Sequence, residues 1–163
     1  MSNMDADTNR YEFYANVTGE KQGVFPDDND EAKGKGARCY TFEYGAEAAS
    51  DPTRGAETAA RFHEPLYLLK AWSASSPNFL SAFLSNELLT TIKLEFARKN
   101  RGGEPEVFET LTLTNATLVS FRRTVGIIPG LPFAELERIG LRFEAMEIKA
   151  AKKAVRFDFK NRK

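Results

Sequence analysis

Chemistry in a protein needs a nucleophile beside a base, a ligand set for a metal, or a cradle for a phosphate, and this chain is thinly supplied with all three. Among its 163 residues there is one histidine, His63, and one cysteine, Cys39. A single cysteine forms no intrachain disulfide and no thiolate metal site, and it suits a reducing birthplace. A single histidine would leave any metal to carboxylates, so His63 reads as structural. The acidic run Asp27, Asp28, Asp30, Glu31 has no glycine at the sharp-turn position of a calcium loop and no closing glutamate at position twelve. Gly34-Lys35-Gly36 and Gly102-Gly103 lack the strand before and helix after that a phosphate loop requires, and no GxSxG or HExxH motif occurs. The expectation is therefore no catalytic residue, no metal site and no cofactor. Two carboxylates can still do acid–base work, but here the acids fall in polar loops or at outward positions of alternating strands, as Glu95 and Glu147 do.

Charge excludes further classes. The chain is formally neutral, with 23 basic and 23 acidic residues, so it carries no overall electrostatic footprint for nucleic acid. The distribution is uneven. Residues 149–163 hold Lys149, Lys152, Lys153, Arg156, Lys160, Arg162 and Lys163 against Asp158 alone, while the first fifty residues are predominantly acidic. Val155, Phe157 and Phe159 alternate with those bases, which points to the solvated face of a strand or a protein contact. The opening MSNMDADTNR has no apolar segment of a signal peptide, and no apolar run approaches the ~20 residues that span a bilayer.

The elements that must position these residues are mostly strands. Tyr11, Phe13, Ala15 and Val17 alternate with polar residues, and so do Tyr40, Phe42 and Tyr44. Residues 19–37 read as a loop, and Gly45 to Thr58 as a long connection without apolar periodicity, of the kind that is usually functional. Arg61 to Leu69 reads as one strand with Phe62, Leu66 and Leu68 on one face and an edge or bulge at Pro65. Ser76 is a good N-cap, Pro77 suits the first helical turn and Asn86 suits the left-handed C-terminal cap, which predicts a helix over about 77–85. Its apolar stripe is Phe79, Leu80, Phe83 and Leu84. A strand with Leu88, Ile92, Leu94 and Phe96 follows, then a turn at 99–103 and a strand from Val107 to Leu113. Asn115-Ala116 reads as a tight connection into Thr117, Val119 and Phe121. The Pro/Gly segment 126–133 carries Ile127, Ile128, Leu131 and Phe133, unusual for a loop in plain solvent. Ile139 to Ala145 and Val155 to Phe159 complete eight or nine strands.

Such a pattern implies a mainly β fold, an antiparallel two-sheet β-barrel with one short flanking helix and long loops. One domain spans 1–163, with 1–10 and 160–163 as flexible ends. FYANVTGE at the start, SSPNFLSAFLSN within His63 to Arg98, FETLTLTNATLVSF and LERIGLRFEAMEIKA occur in that order across residues 11–148. Together they resemble the haemolysin-coregulated protein (Hcp) family, the inner-tube protein of the type VI secretion system. The resemblance implies a subunit that forms homohexameric rings. The rings stack into a tube, and a sheath expels it with a spike at its tip to deliver effector proteins. It implies no enzyme, since the chain ends soon after its last strand, leaving no room for a toxin domain. It also implies a protein made in the cytoplasm and secreted without a signal peptide, binding neither nucleic acid nor membrane. The long segment AEAASDPTRGAET differs from the glycine-rich loop of many members. Charge on Asp27, Asp28, Asp30 and Glu31 against Lys152, Lys153 and Arg156 is the candidate contact between protomers. The other readings of the residues are a monomeric barrel of lipocalin type that binds a small ligand, and a phage-type tail tube subunit.

Overall fold

Six strands close into a barrel in the computed structural model, which describes residues 11–26, 36–51, 56–126, 129 and 135–158. In chain order the strands are β1 (Tyr11–Gly19), β2 (Gly23–Val24), β3 (Ala37–Glu43), β4 (Ala46–Asp51), β5 (Ala56–His63) and β6 (Leu66–Ala71). The helix α1 (Ser76–Ser85) precedes β7 (Leu89–Lys99), β8 (Pro105–Val125), β9 (Glu135–Ala150) and β10 (Lys153–Asp158). The barrel runs β9-β6-β3-β1-β7-β8 and closes by pairing β8 with β9; β2 and β10 extend it from β1 and β9. All these pairings are antiparallel.

Alternation builds the core. Phe13, Ala15 and Val17 of β1 point inward with Leu66 and Leu68 of β6, Ile92 and Leu94 of β7, Leu111 and Leu113 of β8, and Ile139 and Leu141 of β9. Because side chains alternate strictly, a slip of one residue turns a strand inside out. The barrel uses such slips to bend. In β3, Cys39 pairs with Lys70 and Thr41 with Leu69, so Tyr40 is an extra residue. Ala37 and Cys39 face the core before that bulge, Phe42 and Tyr44 after it. Tyr40, expected to share a face with the last two, does not.

A larger slip crosses three strands at one level. Inward residues run Leu111, Leu113, then Ala116, Leu118 on β8. On β7 they run Leu89, then Ile92, Leu94, and on β9 Leu141, Phe143, then Met146, Ile148. Asn115 sits at this corner in left-handed geometry (φ 53°), its Nδ2 donating to Glu144 Oε2 at 2.8 Å. Thr90 donates through Oγ1 to Thr18 O at 3.2 Å. The expected turn at Asn115-Ala116 is therefore a correction: β8 is one strand of 21 residues. Asparagine takes the unusual backbone angle as expected, but Ala116 pairs on both sides, with Leu89 and with Phe143, so the strand bends without reversing.

Two more expectations change. Gly45 to Thr58 holds not a bare connection but most of a hairpin, β4 paired with β5 as a separate two-stranded sheet. It has no apolar periodicity because neither strand joins the barrel. Pro65 separates β5 from β6 where one strand was expected, which leaves Phe62 66% exposed while Leu66 and Leu68 are buried.

Helix α1 has its expected bounds, with Asn86 left-handed at its end (φ 52°, ψ 42°). Its N-cap, however, is Ser75, which makes no side-chain capping bond; Ser76 Oγ instead accepts from Ser73 N at 2.8 Å. The buried stripe is Ser76, Phe79 and Ala82, spaced three apart on one narrow face. Phe79 meets Phe25 edge-on at 5.0 Å. Leu80, Phe83 and Leu84, expected inside, are exposed. Residues 1–10, Asp27 to Glu31, Ile127, Ile128, Leu131 and Phe133, and Phe159 to Lys163, for which the sequence raised expectations, lie outside the described residues.

Candidate functional site

The surfaces offered for contact are set by what the barrel leaves outside. The β4–β5 hairpin is rooted where Gly45 O accepts from Glu64 N at 3.0 Å. There the Tyr44 hydroxyl bonds His63 Nδ1. Tyr44 lies 6.0 Å from the Phe143 ring, and His63 lies 4.8 Å from Phe157 of β10. Burial pushes the Tyr44 hydroxyl above the ordinary tyrosine pKa. The sole histidine thus stands in an aromatic hinge that joins the hairpin to β9 and β10. Beside it a groove of about 310 Å³ is lined by Arg61, Phe62, His63, Glu64, Arg142, Phe143 and Glu144. Its charges are mixed, and no hydroxyl or thiol nucleophile lies among these residues.

Inside the barrel, the structure corrects the expectation that carboxylates stay in loops or face outward. Glu137 is fully buried, and so is Lys70. Lys70 Nζ lies 3.2 Å from Glu137 Oε2, and Arg123 Nε lies 3.2 Å from Glu137 Oε1. Both cations stand directly across from Glu137, one on each neighbouring strand. Lys70 also donates to Ala71 O at 2.8 Å and lies over the Phe79 ring at 5.2 Å. Arg123 stacks on Trp72 at 3.9 Å, and Trp72 Nε1 donates to Leu136 O at 3.1 Å. Glu87, also buried, receives Gln22 N at 3.1 Å and closes the β1–β2 turn. Gly19 leaves room for that carboxylate, since a Cβ there would meet Glu87 Oε2 at 2.0 Å and displace it.

Parity could have found this cluster. Lys70 continues the inward row Leu66, Leu68, and Glu137 begins the inward row Ile139, Leu141. The arrangement braces β6, β8, β9 and α1 together and each charge is satisfied, so it suits structure better than proton transfer. Among the described residues no group of three or more His, Cys, Asp and Glu converges to hold a metal, and no described helix is long and apolar enough to cross a membrane.

Of the expected contact charges, Lys152, Lys153 and Arg156 are exposed around the β9–β10 turn, with Arg156 3.9 Å from Asp158. Their acidic counterparts, Asp27 to Glu31, lie outside the described residues. Leu80, Phe83 and Leu84 add an apolar surface on α1.

Comparison with known proteins gives this architecture a family. A family described as "Type VI secretion system effector, Hcp" matches residues 14–149. The "Major exported protein" of Pseudomonas aeruginosa is 28% identical over 119 residues, covering 67% of this chain and 69% of that one. Among solved structures, one described as "Crystal structure of Hcp protein" superposes with a TM-score of 0.81 at 16% identity, covering 91% of this chain and 98% of its own. The secreted protein Hcp3 of Pseudomonas aeruginosa does so with 0.71 at 20% identity, with the same coverage. The structures share the fold and the family match covers most of the chain: this protein belongs to the Hcp family of the type VI secretion system.

Proposed function

We propose that this chain is a structural subunit of the type VI secretion tube, one domain over 1–163 whose copies form six-membered rings that stack and are expelled to deliver effectors. The observation that carries the reading is the β4–β5 hairpin, a two-stranded sheet that pairs with no other described strand and is exposed at Glu47, Ala48, Arg61 and Phe62. Such a hairpin is marginal alone and is stabilised by lying against a neighbour. A ring joined head to tail needs two different surfaces on each subunit, and the hairpin and the apolar face of α1 are two such surfaces. Secretion follows from the same reading and agrees with the relative named for export. Its partners are then further copies, the spike, the sheath and the effectors. No catalytic, cofactor or metal residue is assigned. The monomeric ligand-binding barrel is disfavoured by a core filled with side chains such as Leu66, Leu94, Leu113 and Leu141.

Light scattering tests the assembly: six protomers of 18.3 kDa are expected, and a monomer at all concentrations overturns it. Replacing residues 49–60 by a two-residue turn, which fits the Ala48–Arg61 pair, is expected to leave the barrel folded and to weaken stacking or ring closure. Unchanged assembly would remove the hairpin from the interface.

A further inference from the structure

One register step from the buried Lys70–Glu137–Arg123 row, on the outer side of the same strands, two arginines face each other. Arg122 on β8 and Arg138 on β9 are direct cross-strand partners, and both are exposed. Like charges placed opposite one another destabilise a sheet, and neither has an ion-pair partner among the described residues. Arg142, exposed and without an ion-pair partner in the same sense, follows on the same face four residues along β9, where Glu64 and Glu144 share its groove. Across the neighbouring strands this face presents Thr41, Leu69 and Tyr67, with Glu43 opposite Tyr67.

The position of Arg138 is built. Its guanidinium lies 3.8 Å from the centre of the Tyr67 ring. That ring fits because residue 140 is glycine: a Cβ there would meet Tyr67 at 3.0 Å and Ser120 Oγ at 2.3 Å. Stacking orients the guanidinium fork without using its N–H donors, so they remain available to a carboxylate.

We infer that this face docks a carboxylate-rich polypeptide segment of a partner protein. A pair of arginines kept side by side at a cost to the sheet is what an acidic side chain inserted between them would repay, and the face is complementary in sign to such a segment. Nucleic acid fits less well. It asks for exposed aromatic faces to stack bases, whereas Tyr67 is covered by Arg138 and Trp72 by Arg123. Leu69 and Thr41, which continue the row beyond Arg138 on the next two strands, suit a peptide backbone and its side chains.

The test uses the full chain with a polyglutamate peptide as probe, followed by fluorescence anisotropy. The parent is expected to bind, more weakly as salt rises. R122Q/R138Q is expected to lose about tenfold or more in affinity, the scale of a charge-assisted contact. K149Q/K153Q, which removes equal charge elsewhere, is expected to change it little. No binding by the parent, or equal loss in the two variants, overturns the proposal. So does a single-stranded oligonucleotide of equal charge that binds as tightly and loses binding in R122Q/R138Q, since the face would then take nucleic acid. A second readout needs no probe. If the two arginines repel, R122Q raises the thermal midpoint of the protein; a lowered midpoint would mean that they are a stabilising feature of the fold and would overturn the proposal.

Discussion

Two rows of residues cross the same three strands one step apart and follow opposite rules. The inner row, Lys70, Glu137 and Arg123, sets an acid between two bases in direct register. The outer row, Leu69, Arg138 and Arg122, sets two bases together with no acid. Burial explains the difference. An uncompensated charge inside the barrel would cost several kcal/mol, so the inner row survives only because every charge is matched. Outside, water and salt reduce the repulsion to about 0.2–1 kcal/mol, a cost that a folded domain tolerates. The inner row is spent on holding the barrel shut, while the outer row keeps its hydrogen-bonding capacity unspent.

The sharpest way to break this comparison is to remove the shared acid. Glu137→Leu is expected to lose about 3–5 kcal/mol in chemical denaturation, because Lys70 is left buried and unpaired. The double change Lys70→Met, Glu137→Leu is expected to recover most of that loss, since Arg123 is 43% exposed and keeps its hydration. A single change costing under about 1 kcal/mol would show that water reaches the pair and that the two rows are not different in kind.

The inside–outside contrast extends to the helix. Phe79→Ala is expected to cost about 3–5 kcal/mol, since the ring is 1% exposed. Phe83 is 37% exposed, and its truncation is expected to cost only about 1 kcal/mol in the single chain. Equal losses would mean that Phe83 is covered even in the single chain. The smallest effect is on the outer row itself, where R122Q is expected to stabilise by a few tenths of a kcal/mol.

Much of this was legible in the sequence, wherever period and burial agree. The alternation of Phe13, Ala15 and Val17, the helix bounded by Ser76 and Asn86, and the row Ile139, Leu141 all describe elements that face one core. Reading failed where geometry breaks the period. Tyr40, Thr90 and Asn115 each shift the inward phase by one residue, and no local composition marks a slip in which both neighbouring strands continue. It failed also where a strand has no core to face, as in β4 and β5, because alternation records burial rather than strand geometry. Leu80, Phe83 and Leu84 misled for the converse reason: apolar residues at helical spacing look the same whether the barrel or a neighbour covers them. Arg122 was visible as a residue, but its partner Arg138, sixteen positions away, required the β8–β9 register.

Barrel closure also limits how this molecule can grow. A strand flanked on both sides has no row of free backbone donors and acceptors to offer, and each of the six barrel strands has a neighbour on either side. Among the described strands, edges with no partner strand at all remain on β2, on β10 and along the β4–β5 hairpin, while β8 beyond Ala116 pairs on one side only, with β9. The first has two residues, and the second carries Lys153 and Arg156, charges of the kind that discourage strand-to-strand addition. The hairpin is thus the least guarded edge through which one copy's backbone could be continued by another. Where polymerisation of an open sheet would be indefinite and sideways, closure leaves a chain with few points of extension, each fixed in direction by the barrel beneath it.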